Sequence, residues 1–359
     1  MDVPEIDFAP VQTENTFPSQ RYKTVICIYN RGMTRAVPPA ESRDQFSELV
    51  PGSPVISFKD VRIGFDDREV LQGISFETFP GETKVLLGEG GSGKTLIMKL
   101  AAGLMRPDSG TVTVMGHDIG QMPENELLQF RRRIGFVFQE GALFDSMTVS
   151  ENVSFRLDEE GVDETEADKR VHEALRFVEM EPAIERFPGE LSGGMRRRVS
   201  IARALVDHPP IVFYDSPTAG LDPVTCQTIM SLILRGRDLQ GVTSLLATQR
   251  VQDAFSLANF RFDKSTGHIV RDKRENGNAT QPSDQAWRAP VPSGAPQPAP
   301  TPNVSNSSES EAASILENNG MSPTNVLVLR DGKIYFEGPA DELLRTSDAY
   351  LKEFLASAR

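Results

Sequence analysis

The stretch Lys84-Val85-Leu86-Leu87-Gly88-Glu89-Gly90-Gly91-Ser92-Gly93-Lys94-Thr95, continuing into Leu96 to Leu104, decides the fold. Its short apolar run predicts a buried strand, its glycines a loop, and the apolar periodicity after Thr95 a helix. The spacing G-x-x-x-x-G-K-[ST] in a strand–loop–helix setting is that of a phosphate-binding loop. Glycine-rich backbone lets consecutive N–H groups of Gly88, Glu89, Gly90, Gly91, Ser92 and Gly93 converge on a phosphate, and the helix N-terminus adds favourable partial charge. Lys94 is expected to reach the β- and γ-phosphates of a nucleotide, and Thr95 to offer its hydroxyl to Mg²⁺.

Around this loop the composition narrows the possibilities. The chain has 359 residues, with 38 Lys+Arg against 51 Asp+Glu and a formal charge of −13. Such acidity opposes phosphate backbones and argues against a nucleic-acid-binding protein, while a local backbone pocket for a small phosphorylated ligand remains open. Cys27 and Cys226 are too few for a disulfide scaffold, and Met1-Asp2-Val3-Pro4-Glu5 lacks the basic and apolar regions of a secretion signal. No apolar run approaches the roughly 20 residues that span a bilayer, so membrane work is expected to go through a partner, without direct insertion.

Four segments follow. Residues 1–52 read as an irregular extension with one apolar island, Val25 to Tyr29. Residues 53–262 alternate short β-rich runs with longer amphipathic segments, the pattern of an α/β domain. Residues 263–323 turn to Lys, Asn, Ser, Gln and Pro, with seven prolines between Pro282 and Pro302, and read as a disordered insertion. Those prolines form no P-x-x-P pair, so docking to proline-reading domains is not indicated. Residues 324–359 resume structure as a hairpin, Val326 to Phe336 turning at Arg330-Asp331-Gly332, followed by a helix from Ala340 to Leu344.

One phosphate loop does not choose among kinases, GTPases and transport ATPases. About 100 residues on, Glu190-Leu191-Ser192-Gly193-Gly194-Met195-Arg196-Arg197-Arg198 opens the helical stretch Val199 to Leu205, and here the sequence resembles the ABC transporter ATPases. The resemblance covers about Val55 to Phe262 and Asn325 to Leu355. It implies a P-loop (RecA-like) α/β core with an antiparallel β part and an inserted helical subdomain, about residues 140–205 including the signature. It also implies that Ser192, Gly193 and Gly194 bind the γ-phosphate held by a second ATPase subunit, so that ATP is sandwiched in a dimer. By the same register Phe65 stacks on adenine, Gln139 is the Q-loop glutamine and a metal-site residue, and Gly220-Leu221-Asp222 is the loop in which Asp222 meets the nucleotide interface. Asp215, ending the strand Ile211 to Asp215, is expected to hold Mg²⁺ through water. The runs Arg131 to Arg133 and Arg196 to Arg198 read as solvated helix faces.

Two positions depart from the family pattern. Where it places a glutamate that polarises the attacking water, this chain has Ser216, and where it has a switch histidine this chain has Gln249. A serine hydroxyl carries no charge and is no general base, whereas a Gln amide still donates a hydrogen bond to a γ-phosphate. ATP binding and hydrolysis are therefore separate expectations. Either a heterodimer uses a partner's Glu and His with the signature of this chain, or a homodimer hydrolyses slowly, with Glu140 or another carboxylate taking over. A regulatory ATP-binding module is the rival reading.

Glu140-Gly141-Ala142-Leu143-Phe144 through Val153, with Met195 and Ser347 to Leu355, is similar to the Mla/Mce phospholipid transport ATPases. That resemblance implies an integral permease of the MlaE type, a place on the inner face of the cell membrane, and phospholipid as cargo. The helical subdomain, including the acidic stretch Asp158 to Met180, would receive the permease.

Overall fold

The computed structural model describes residues 52–66, 68–272 and 324–357. The expected irregular extension, apart from Gly52, lies outside them. Ile56–Phe65 and Arg68–Thr78 form antiparallel strands β1 and β2, with Phe65 opposite Arg68 at the turn end. Their inward residues include Phe58 and Phe76, whose rings stack at 4.8 Å. Strands β4 (Ser109–Val114) and β5 (His117–Asp118) complete a four-stranded antiparallel sheet in the order β2-β1-β4-β5.

The second sheet carries the site. It contains β3 (Thr83–Gly88), β6 (Ile134–Val137), β7 (Ile211–Asp215), β8 (Thr243–Thr248), β11 (Thr324–Arg330) and β12 (Lys333–Pro339), in the order β12-β11-β3-β8-β7-β6. Only β12 runs antiparallel to its neighbour. Every residue of β3, β7 and β8 is buried. That is why these strands read as continuous apolar runs rather than alternating ones: parallel strands are covered on both faces. Helix α1 (Lys94–Ala101) follows β3 and packs beside β7 and β8. The short helix α2 (Glu124–Arg131) precedes β6.

Between β6 and β7 lie α3 (Val149–Glu159), α4 (Glu164–Phe177) and α5 (Gly193–Leu205), packed on one another. This is the helical subdomain expected at about 140–205. Thr148 and Glu151 form a capping box at the start of α3, each side chain bonding the other's backbone N–H. Asn152, fully buried, accepts from Phe144 N at 2.8 Å and donates to the carbonyls of Phe144, Met147 and Thr148. One side chain thereby fixes the loop between β6 and α3. Helix α6 (Pro223–Gln240) follows β7, and α7 (Val251–Asn259) follows β8.

Composition placed the start of the insertion at residue 263, and the structure moves it. β9 (Phe260–Asp263) and β10 (His268–Arg271) pair as a hairpin, with His268 opposite Asp263. The polar residues between them are turn chemistry: Asp263 Oδ1 accepts from Ser265 N and Oγ at 2.9 and 2.7 Å, and Gly267 N donates to Asp263 O at 2.9 Å. Helix α6 holds this hairpin, with Arg237 donating to Phe260 O and Asp238 accepting from Phe262 N. The rest of the expected insertion, residues 273–323, lies outside the described residues. The C-terminal hairpin forms as read, as β11 and β12, followed by α8 (Ala340–Leu344) and α9 (Ala349–Ser357). Its turn is tied to the first sheet by Gln72 N donating to Gly332 O at 2.7 Å.

Candidate nucleotide site

The glycine-rich loop leaves the end of β3 and enters α1 at Lys94, as its spacing predicts. Gly93 is held at φ +98°, and a β-carbon there would stand 2.5 Å from Leu71 Cδ2, so only glycine lets the loop lie against β2. Lys94 Nζ donates to the carbonyls of Gly88 and Glu89 at 2.9 and 2.7 Å and to Ser92 Oγ at 3.2 Å. The ammonium thus sits inside the curve of the loop. Burial lowers it to about 8 from its ordinary value, against the opposing pull of the Asp215 and Glu89 carboxylates. Beside the loop a cavity of about 920 Å³ opens, with Arg68, Gln72, Gly91, Arg330 and Tyr350 among its lining residues.

Thr95 and Asp215 meet although 120 residues separate them in sequence. The Thr95 hydroxyl lies 3.1 and 3.0 Å from the two carboxylate oxygens of Asp215, which is only 7 % exposed at the end of β7. Strands β3 and β7 flank β8, so the loop and the carboxylate emerge at the same end of the sheet. An alcohol oxygen and an ionised carboxylate suit a hard divalent cation such as Mg²⁺. Among the described residues no group of three or more His, Cys, Asp or Glu side chains could hold a metal by itself. The pair therefore fits an ion that takes its other ligands from phosphate and water, as Mg²⁺ does. Gln139, expected at the same metal, is exposed in the turn after β6, and among the described residues no hydrogen bond joins it to Thr95 or Asp215.

Both departures from the family pattern fall beside this pair. Ser216 directly follows Asp215 at φ +49°, a left-handed backbone uncommon outside glycine, and its hydroxyl reaches Asp215 Oδ1 at 3.4 Å. Gln249 is exposed at the end of β8, with Nε2 3.7 Å from where a β-carbon on Gly90 would stand. Its amide therefore faces the phosphate loop. Behind both positions lies a residue that the sequence reading missed. Asp253 on α7 accepts from the hydroxyls of Thr218 and Thr248 at 2.5 and 2.7 Å, tying the segment after β7 to the segment after β8. Burial raises its carboxyl above the ordinary range. A lone Asp in an amphipathic helix carries no sequence signal for such a role.

The remaining expected residues occupy separate places. Phe65 stands 46 % exposed at the turn end of the β1–β2 hairpin and is not core packing. Ser192 caps α5, its hydroxyl accepting from Met195 N at 3.3 Å, so Ser192-Gly193-Gly194 does open a helix N-terminus. A β-carbon on Gly194 would stand 2.4 Å from Thr225 Cγ2, which brings the signature against the start of α6. Asp222 caps α6, accepting from Val224 N and Thr225 N at 3.0 Å and from the Thr225 hydroxyl, which holds its carboxyl below the ordinary range. α5 packs on β6, the sheet edge, three strand spacings or about 14 Å from β3. Within one chain the signature and the phosphate loop are thus set apart.

The arginine runs are not simply solvated faces. Arg131 donates to the carbonyls of Ala102 and Gly103 at 3.3 and 2.6 Å, closing the C-terminal end of α1. Arg196, Arg197 and Arg198 donate to carbonyls of Leu191, Phe138, and Val178 with Glu179.

Residues 71–219 match the family described as ABC transporter. Among curated proteins, the chain is 35 % identical over 226 residues to the methionine import ATP-binding protein MetN of Rhizobium johnstonii, covering 63 % of this chain and 62 % of that one. It is 35 % identical over 199 residues to MetN of Brucella abortus, covering 55 % and 54 %. The chain thus spans between about half and three fifths of the length of these relatives. The dimeric ATP-binding cassette MJ0796, in a post-hydrolysis state with ADP and Pi, superposes with a TM-score of 0.57 at 23 % identity, over 79 % of this chain and 98 % of that one. CbiO1 of Clostridium perfringens, part of the transporter complex cbiONQ, gives 0.60 at 22 %, over 83 % and 94 %. The fold is that of an ABC ATPase cassette.

Proposed function

We propose that this chain is the ATP-binding subunit of an ABC transporter and works as a dimer at the membrane through a permease. The observation that carries the reading is the meeting of Thr95 with both oxygens of Asp215, because it assembles from distant strands the oxygen pair that Mg-ATP needs. Lys94 and the loop N–H groups take the β- and γ-phosphates, Phe65 stacks on the adenine, and Gln249 faces the phosphate loop. The signature on α5 stands away from the loop of its own chain, which leaves Ser192, Gly193 and Gly194 to close on nucleotide held by a second subunit, with Asp222 at the same interface. No helix among the described residues is long and apolar enough to cross a membrane.

Ser216 and Gln249 separate binding from turnover. With no carboxylate after Asp215, this chain binds ATP and hydrolyses it slowly by itself, or supplies its signature to a partner that carries the missing Glu and His. A purely regulatory ATP-binding module rests on the same two residues. Cargo rests on two different observations. The residues from Glu140 to Val153, with Met195, support phospholipid and an MlaE-type permease, whereas the 35 % identical relatives bear the name of methionine importers and do not support lipid.

Calorimetric titration of Mg-ATP onto the full-length chain tests the core of this reading. The expected result is binding that Lys94→Ala abolishes, and that Asp215→Asn weakens at least tenfold with Mg²⁺ but leaves unchanged in EDTA. A parent chain without affinity for Mg-ATP refutes it. Purification from membranes with the bound permease identified, followed by uptake of labelled methionine and exchange of labelled phospholipid, decides the cargo.

A further inference from the structure

We propose that Arg197 is a positioning residue that clamps the signature helix α5 to the turn bearing Gln139, so that the half-site offered to a partner and the half-site used by this chain move as one body. Phe138, Gln139, Glu140 and Gly141 form a turn closed by Gly141 N donating to Phe138 O at 2.9 Å, with Gln139 and Glu140 exposed at its centre. The same Phe138 carbonyl accepts from the Arg197 guanidinium, which is only 5 % exposed. Six residues further along α5, Arg203 donates to the carbonyl of Gly141, the turn's last residue, at 3.0 Å and to that of Ala142, just after it, at 2.8 Å. Ala142 is held at φ +47°, a backbone state that an alanine keeps only when its surroundings impose it. The Phe138 ring stacks on Phe136 of β6 at 4.2 Å, so the turn is fastened to the sheet as well.

Two carboxylates lie near enough to Arg197 to act on its charge. Desolvation opposes its positive charge, while the carboxylates of Asp215 and Glu140 favour it. A buried guanidinium presents several rigid donors, and losing it leaves the Phe138 carbonyl with the turn bond alone. Four residues before Arg197 begins the glycine pair of the signature. A shift of α5 as its N-terminus engages a partner's phosphate must therefore drag the Gln139 turn, or break a buried bond.

The inference rests on the dimer reading above, and the test keeps the two apart. The purified full-length chain is sedimented with and without Mg-ATP, and Mg-ATP affinity is measured by calorimetry for the parent, Arg197→Met, Arg197→Lys, Gln139→Ala and the double variant Arg197→Met/Gln139→Ala. The expected result is Mg-ATP affinity within threefold of the parent for Arg197→Met, ATP-driven dimerisation at least tenfold weaker, and partial recovery in Arg197→Lys. The double variant should be no weaker than the worse single one, because both act through one turn. Arg197→Met that dimerises like the parent, or losses that multiply in the double variant, overturns the clamp and leaves the ATP-binding reading standing. A parent that neither binds nor dimerises with Mg-ATP overturns both. Should Arg197→Met not fold, Arg203→Lys takes its place, with the same expected weakening at unchanged nucleotide affinity and the same refuting result.

Discussion

Replacing Ser216 by glutamate should switch on ATP hydrolysis. The backbone at this position is held independently of the side chain: Ser216 N donates to Ala247 O at 2.9 Å, and Ala219 N donates to Ser216 O at 3.1 Å. A longer side chain therefore starts from the same anchored point beside Asp215. A positioned general base is worth about 10²–10⁴ in rate, so Ser216→Glu should turn over Mg-ATP at least ~100-fold faster than the parent, and Ser216→Gln should not. The added charge has a cost. Two carboxylates about 6 Å apart repel by roughly 1–3 kcal/mol at effective dielectric constants between 80 and 20, so without Mg²⁺ the variant should melt lower, and Mg-ATP should restore it. Phosphate release at saturating Mg-ATP, with thermal melts in Mg²⁺ and in EDTA, measures both effects. The reasoning is refuted if Ser216→Glu is no faster than the parent, or if the parent already hydrolyses at the rate of the variant.

Four further outcomes follow from particular contacts. Because burial brings Lys94 to about 8, nucleotide that binds the ammonium form should take up a proton, and affinity should fall by about tenfold between pH 8 and pH 9.5, measured by calorimetry in buffers of different ionisation enthalpy. The same lowered value makes folding stability gain with rising pH from about 8 toward the unfolded lysine range, since the unfolded chain then holds the extra proton. Gly194→Ala places a carbon 2.4 Å from the Thr225 methyl and should cost about 1–3 kcal/mol in denaturant unfolding, with Thr225→Ser recovering part of it because serine keeps the hydroxyl bonded to Asp222. Asn152→Ala removes one accepted bond and an amide whose two N–H groups serve three carbonyls in a fully buried site, and should destabilise by about 2–4 kcal/mol, read from the urea midpoint, without lowering Mg-ATP affinity at the phosphate loop.

The loop from Gly88 to Thr95 was legible because its function lies in its own backbone, so that spacing and setting are sufficient. The Thr95–Asp215 meeting was legible at one remove: an apolar strand ending in Asp needs only to run parallel to the loop strand, two places away, to deliver its carboxylate. Arg197 was not legible. A run of three arginines looks the same whether it faces water or backbone carbonyls, and only the orientation of α5 against the turn after β6 decides. The β9–β10 hairpin was missed for the opposite reason. Asp263-Lys264-Ser265-Thr266-Gly267 has the composition of the polar insertion, and its turn chemistry was outweighed in a reading by average composition. Asp253 and Asn152 are single polar residues in amphipathic helices, where sequence cannot tell a solvated side chain from one that knots two segments together.

The strand that carries the phosphate loop is an interior strand only because β11 lies along it, with Thr324 to Leu329 in register with Thr83 to Gly88. During synthesis some 235 residues emerge between these two ladder partners. Until the later one arrives, one side of β3 offers a row of bare amides and carbonyls to any extended chain nearby. A ribosome-bound intermediate, or a product cut short before Thr324, would thus have its nucleotide-gripping strand at a sticky margin, and quality control of this molecule would centre on the arrival of the segment Thr324–Arg330.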